Sequence, residues 1–295
     1  MAEETAVSVI KLCLGGGIVS IKDESAPSNL LLGCSGWSYR EWNGPFYPQG
    51  TDPTRMLPLY ARVFPTVEVN STFYRLPAAS MVTRWCDRAP DGFRYAAKLH
   101  QSITHEHRLE GCEGLLEEYM ARMGPLEDAG LLAAVLVQLP PSFTRKSIDT
   151  LATFLDLIPP SPRFAVEFRH KSWYDESRLH PDVREVLVSR NTAVCVVDEP
   201  GLRTAPEVTS DLAYVRWHGL NPRHWYTYHY SPDELATWVD PIRALCSEAE
   251  VVLGYFNNHP RGSAPANCRQ FASLLDIGLG SIPKGQKTLT SFTCK

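Results

Sequence analysis

The sequence predicts a (β/α)₈ barrel of the TIM type. Eight short apolar runs recur between residues 30 and 257, helical spacing fills most of the gaps between them, and the whole fits within about 250 residues. A doubly wound open sheet would share the alternation. No Gly-rich phosphate fingerprint follows a strand here to support it.

The strands are read at 30–35 (LLLGCS), 66–70 (TVEVN), 93–99 (FRYAAKL), 131–139 (LLAAVLVQL), 163–169 (RFAVEFR), 192–198 (TAVCVVD), 213–218 (AYVRWH) and 251–257 (VVLGYFN). Each is short, rich in β-branched or aromatic residues, and bounded by turn-forming or polar residues. Helices are expected at 53–63, 78–88, 112–128, 146–157, 178–190, 231–247 and 263–275. Pro53 and Pro232 fall where a first helical turn tolerates proline, and Ser231 with Glu234 completes a capping box. Residues 199–212 (EPGLRTAPEVTSDL) hold two prolines and a glycine, which predicts a loop in place of the helix between strands six and seven. The barrel domain therefore spans 30–276. Residues 1–29 form an N-terminal extension, a hairpin around Gly15–Gly17 or a poorly ordered segment, and 277–295 a polar, flexible tail.

Bulk composition excludes several classes. A 44% hydrophobic, 21% charged chain is ordinary globular protein, and no apolar run approaches the length of a membrane span. The N-terminus opens acidic and is interrupted by Lys11 and three glycines, a poor secretory signal, so the expected location is cytoplasmic. Eight scattered cysteines include no C-x-x-C pair, which argues for reduced thiols over a zinc ribbon or disulfide framework. The net charge of −4 supplies no global attraction to nucleic acid.

The strand ends carry the chemistry. Alternate strand residues share a face, so Glu68 and Asn70 point one way while Val67 and Val69 point the other. The same count sends Glu167, Arg169, Arg216 and His218 inward, with Lys98, Gln138, Asp198 and Asn257 at or near further strand ends. Seven exits bearing polar groups converge on the barrel mouth, where active sites of this fold lie. Burying charge costs several kcal/mol unless it is paired or hydrated, so the set reads as a pocket more readily than as core. Taken singly, each is equally an ion pair tying the mouth together. A divalent metal ion is a candidate cofactor through the carboxylates and His218, although the arginines compete for the same ligands. Aromatics crowd the rim: Trp37, Tyr39, Trp42, Phe73, Tyr74, Trp173, Trp225, Tyr226, Tyr228 and Tyr230. Rings over a polar floor suit a sugar or an unstacked base, or form packed lid loops. His105 and His107 read as loop or capping residues, and His224 and His229 as parts of the lid.

The stretches CSGWSYREWNGPFYP, VEVNSTFYRLP, ITHEHR, VQLPPSF, VEFRHKSW, YVRWHG and YFNNHPRGSAPANC together resemble the YecE-like family, a domain of unknown function of TIM-barrel type. The resemblance runs from about Leu31 to about Leu275 and implies a TIM-like barrel without supplying a reaction. It implies a pocket that includes Ser35, Glu68, Asn70, Tyr74, Gln138, Glu167, Arg169, Asp198, Arg216, His218, Asn257 and Asn258. Cys34 stands where the family usually shows threonine. Outside the resemblance, Gln286-Lys-Thr-Leu-Thr-Ser-Phe292 looks like the peptide by which replication and repair proteins dock on the DNA sliding clamp. Leu289 and Phe292 would plug an apolar pocket beside a hydrogen bond from Gln286, with Thr293 where a second aromatic is usual.

The leading expectation is an enzyme acting on a phosphate-containing substrate, nucleic acid included, as in nuclease or repair-type hydrolysis. Arg169 and Arg216 would hold phosphate, Glu167 or Asp198 with His218 would move protons, and rim aromatics would stack a base. The alternatives are a glycoside-active enzyme using a carboxylate pair drawn from Glu68, Glu167 and Asp198, or a protein that binds a small anion without turning it over.

Overall fold

A computed structural model describes residues 26–224 and 226–283. Eight parallel strands close on themselves: β1 (Leu30–Ser35), β2 (Thr66–Val69), β3 (Arg94–Lys98), β4 (Leu132–Gln138), β5 (Arg163–Glu167), β6 (Ala193–Glu199), β7 (Leu212–Trp217) and β8 (Val251–Phe256). Closure is made by β8 against β1, from Leu30 opposite Val252 to Cys34 opposite Phe256. The barrel is the one the sequence predicts and its eight strands fall on the eight predicted runs, although β6 extends one residue further, to Glu199.

Outside the strands lie α1 (Pro53–Ala61), α2 (Ser71–Tyr74), α3 (Ala79–Arg88), α4 (Glu113–Asp128), α5 (Ile148–Leu155), α6 (Pro181–Val188), α7 (Pro232–Ala236), α8 (Val239–Glu248) and α9 (Ser263–Leu274). The Ser231–Glu234 capping box forms, with both reciprocal hydrogen bonds. Two expectations need correction. The single helix over 231–247 is two helices, because Pro241 has no N–H to continue the ladder and its ring crowds the carbonyl one turn back. The helix expected over 178–190 begins only at Pro181, since Arg178–Leu179 pairs with Tyr174–Asp175 in a short hairpin. The loop between β6 and β7 contains no helix; Leu202–Arg203 folds back antiparallel onto β6. None of the helices among the described residues is long and apolar enough to cross a membrane.

Two apolar layers result. The outer layer packs the helices on the outward strand residues. Its aromatic patch under α1 includes Trp42, Tyr47, Tyr60 and Phe64, all buried. The Tyr60 hydroxyl wedges between β1 and β2, accepting from the Cys34 N–H at 2.7 Å and donating to the Thr66 carbonyl at 3.0 Å. Gly33 is required there, since a Cβ would lie 2.1 Å from the Thr66 carbonyl oxygen.

The inner layer is graded by size. Ala96, Ala134, Ala165 and Ala193 line one side, and Tyr214 and Tyr255 cross from the other with ring centroids 5.2 Å apart. A buried phenol needs a partner: Tyr255 finds the Thr66 hydroxyl at 2.8 Å, and Tyr214 finds the Glu68 carboxylate at 2.7 Å. The polar mouth therefore begins directly on top of this layer.

Candidate active site at the barrel mouth

Arg216 and Arg169 organise the mouth. Arg216, at the inward end of β7, donates to Glu68 Oε1 at 2.7 Å and to Glu167 Oε2 at 2.5 Å. Arg169, just past β5, donates to the other oxygen of Glu167 and to Glu199 at the end of β6. Two guanidinium groups thus serve three carboxylates. Burial pushes the Glu167 carboxyl upward, but Arg169 and Arg216 together hold it well below the usual range. Glu199 has only a share of Arg169, so burial, with Glu167 nearby, raises it to about 7. With two guanidinium groups shared among three carboxylates, protonating the least supported one is the cheapest relief.

His218 is a structural hub. Burial and the adjacent Arg169 and Arg216 lower it to about 3, so it is neutral near pH 7. Its Nε2 faces donors from Arg169 at 3.1 Å and Arg216 at 3.4 Å, which makes this nitrogen the acceptor. The other ring nitrogen, Nδ1, lies 3.0 Å from the Asn257 side-chain amide, so both ring nitrogens have partners. A histidine whose lone pair is already committed is a poor general base.

Lys98 emerges from β3 facing the same cluster. Its ammonium lies 3.8 Å from the centroid of Phe73, and it forms no ion pair among the described residues. Burial first, then the Arg216 charge, lowers it to about 7. Beside it on the β1–β2 side, the Ser35 hydroxyl and the Asn70 side-chain oxygen are buried without hydrogen-bond partners. The strands here are in register, Ser35 opposite Glu68 and Val69 opposite Ala97, which brings Asn70 level with Lys98. The mouth is therefore divided. Among the described residues its β5–β7 arc is ion-paired, with Arg216 Nε left over, while its β1–β3 arc, apart from Glu68, presents uncommitted polar atoms. Gln138, at the end of β4, donates to the Leu139 carbonyl at 3.1 Å.

Several residues expected in the pocket stand elsewhere. Asp198 points outward, accepting from Trp238 Nε1 at 3.3 Å and facing Arg203 at 3.4 Å. Ala193, Cys195 and Val197 fill the barrel, so the next inward residue is Glu199. Counting in twos from Cys195 would have found it. Tyr230 is buried behind the mouth, its hydroxyl accepting from the Gly219 N–H at 2.9 Å. Asn258 donates to the Tyr228 carbonyl and the Asn267 side chain, both at 2.9 Å, and braces the β8–α9 connection. Trp42 and Trp173 are fully buried core. Of the rim aromatics, Tyr74 is 68% exposed and Tyr226 40%, the latter 6.3 Å from the His218 ring. Trp225, Gln286, Leu289 and Phe292 lie outside the described residues. The sequence reading also missed His105 as a neighbour of the site. It sits on a π-helical turn, edge-on to Phe73 at 4.9 Å.

Oxygens of Glu167 and Glu199 and a nitrogen of His218 lie within 4.8 Å of one another, the spacing of a metal-binding set. The donor types suit a divalent ion, but Arg169 already donates to all three residues. A cation would have to displace that guanidinium, so the residues in this arrangement do not fit a metal. A separate cavity of about 700 Å³ opens at the opposite end of the barrel, lined by Leu31, Arg94, Leu132 and Arg163 among others. There Arg163 is paired with Asp211 and Glu250.

Comparison with known proteins agrees with this architecture. The family model described as "Protein of unknown function DUF72" matches residues 31–288. The UPF0759 protein YunF of Bacillus subtilis is 26% identical over 285 residues, covering 88% of this chain and 99% of its own length. The UPF0759 protein YecE of Escherichia coli K12 is 29% identical over 180 residues, 60% of this chain and 61% of YecE. A crystal structure of a DUF72 family protein from Thermotoga maritima superposes with a TM-score of 0.76 at 31% identity, covering 84% of this chain and 99% of that one. One from Enterococcus faecalis gives 0.76 at 24% identity, covering 87% and 99%. The chain belongs to the DUF72 family.

Proposed function

We propose that this protein is an enzyme that takes a phosphate-containing substrate at the barrel mouth, with a nucleic-acid phosphodiester as the substrate and hydrolysis as the reaction. The observation that carries the proposal is the divided mouth. The uncommitted arc offers the Lys98 ammonium and the Ser35 hydroxyl to an anion, with the Asn70 side-chain oxygen beside them as an acceptor for a substrate hydroxyl or amine, and the opposite arc ends in Glu199, which titrates near neutrality. In this scheme Lys98 replaces the two arginines as the anion contact, because Arg169 and Arg216 are committed to carboxylates. Glu199 replaces Asp198 and His218 as the proton-transfer group. Exposed Tyr74 and Tyr226 are available to stack an unpaired base. A carboxylate pair for glycoside cleavage fits less well: Glu68 and Glu167 share Arg216, and Asp198 is outside.

The scheme fixes a pH dependence. The charges of Arg169, Arg216, Glu68 and Glu167 cancel. Below pH 7 Lys98 is charged and Glu199 neutral, leaving +1; above it Lys98 is neutral and Glu199 charged, leaving −1. Affinity for a short single-stranded oligonucleotide, whose phosphodiesters keep a constant charge, is expected to weaken about tenfold between pH 6.5 and 8.5. Lys98→Met should bind weakly at both. Fluorescence anisotropy at fixed salt measures this, and pH-independent binding that survives Lys98→Met sinks the scheme. Tight binding with no cleaved product would identify an anion-binding protein instead.

The tail motif Gln286–Phe292 supports recruitment to a DNA sliding clamp as a second proposal. Deleting residues 284–295 is expected to abolish clamp binding in a pull-down or calorimetric titration. Equal binding by the truncated and full chains ends the recruitment idea.

A further inference from the structure

The phosphate reading treats Lys98 as a cation, yet its surroundings suit a second use. Near pH 7 about half of its amine is unprotonated. The groups facing it are Arg216 from β7, Glu68 from β2, Glu167 from β5, Arg169 from the following loop, and His105 from the turn beyond β3. Both glutamates are held by Arg216 and Glu199 by Arg169, and among the described residues no carboxylate forms an ion pair with the ammonium. One side of Nζ is covered by the Phe73 ring. The backbone at this point is fixed, since the Lys98 carbonyl accepts from the Thr72 hydroxyl at 2.7 Å and the Tyr119 hydroxyl at 3.1 Å. A desolvated amine on an anchored strand end, beside cationic neighbours, is the environment of an amine nucleophile.

We infer that Lys98 forms an imine with an aldehyde or ketone that carries a phosphate group, an assignment that rests on the phosphate reading for the substrate's anionic part. The amine lone pair attacks the carbonyl carbon, and the carbonyl oxygen takes up a proton to give a carbinolamine. Nitrogen gives up one proton and keeps the other while the hydroxyl, protonated from solvent, leaves as water, giving a protonated imine. The step is a condensation with no change of oxidation state, and hydrolysis returns the amine. A carbonyl held this way becomes an electron sink for cleavage at the neighbouring carbon.

The test is reductive trapping on the full-length chain. Glyceraldehyde 3-phosphate with sodium cyanoborohydride at pH 7.5, followed by peptide mass mapping, reads the rate at each lysine. The other lysines among the described residues, Lys146 and Lys171, are exposed and serve as internal references. Lys98 is expected to be labelled about tenfold or more faster than either, with a rate that levels off above about pH 7. Unphosphorylated glyceraldehyde should react more slowly at Lys98, and Lys98→Arg should lose the label while retaining its circular dichroism spectrum. Labelling of Lys98 no faster than Lys146 and Lys171 overturns the inference even if oligonucleotide binding persists. Rapid labelling that is equal for both aldehydes overturns only the phosphate part, and with it the reading on which that part rests.

Discussion

Replacing Arg216 by methionine is expected to destabilise the fold by about 3–5 kcal/mol at pH 7.5, the usual consequence of leaving a buried charge without its partner. Arg216 is 1% exposed and bridges two buried carboxylates, Glu68 on β2 and Glu167 on β5. Methionine fills much of the volume but satisfies neither. Glu68 would keep the Tyr214 hydroxyl and Glu167 would keep Arg169, so the loss should fall short of complete unfolding. A pH signature separates this cause from lost packing. Orphaned buried carboxylates have folded-state pKa values above their unfolded ones, so the folded state binds the extra protons and stability falls as pH rises. The deficit relative to wild type should therefore shrink when urea unfolding is repeated at pH 5.5. A deficit that stays constant across this range would mean that the ion pairs contribute little beyond side-chain volume.

The bridge also explains how much of the site could be seen beforehand. The barrel was legible because apolar runs and helical spacing alternate with few interruptions, and the period of two carried Glu68, Glu167, Arg169, Arg216 and His218 to one end. Which charge would meet which was not legible, because Glu68 and Arg216 lie 148 residues apart and their contact depends on closure of the barrel. Asp198 shows the cost of stopping a strand one residue early. Assigning β6 to 192–198 made its final polar residue look inward, whereas the inward series runs through Val197 to Glu199. Tyr230 and Asn258 misled for another reason: a polar aromatic and an amide beside a strand end serve equally well to satisfy buried backbone groups. The unpartnered arc of Ser35, Asn70 and Lys98 could be recognised only once the partners of every neighbouring group were known.

If the protein hydrolyses phosphodiesters as proposed, Glu199→Gln is expected to lower turnover by about 10²–10⁴-fold, the range for removing a positioned proton-transfer group. Its effect on binding should run the other way. Glutamine resembles the protonated carboxyl in size and polarity but never becomes negative, so above pH 7 the mouth of the variant is neutral where the wild type carries −1. Oligonucleotide affinity at pH 8 should therefore rise while turnover falls, and a misfolded protein cannot produce that pair of results. The substitution also removes one of the two carboxylates that share Arg169, so Glu167 receives a larger part of that guanidinium and stays ionised. Relative to wild type, thermal stability should change little below about pH 4.5, where Glu199 is protonated both folded and unfolded, improve progressively as pH rises to about 7, and hold that gain above it. If affinity rises but turnover is unaltered, Glu199 only tunes the charge of the mouth. If neither changes, its place beside Arg169 is structural and proton transfer must be assigned to another group.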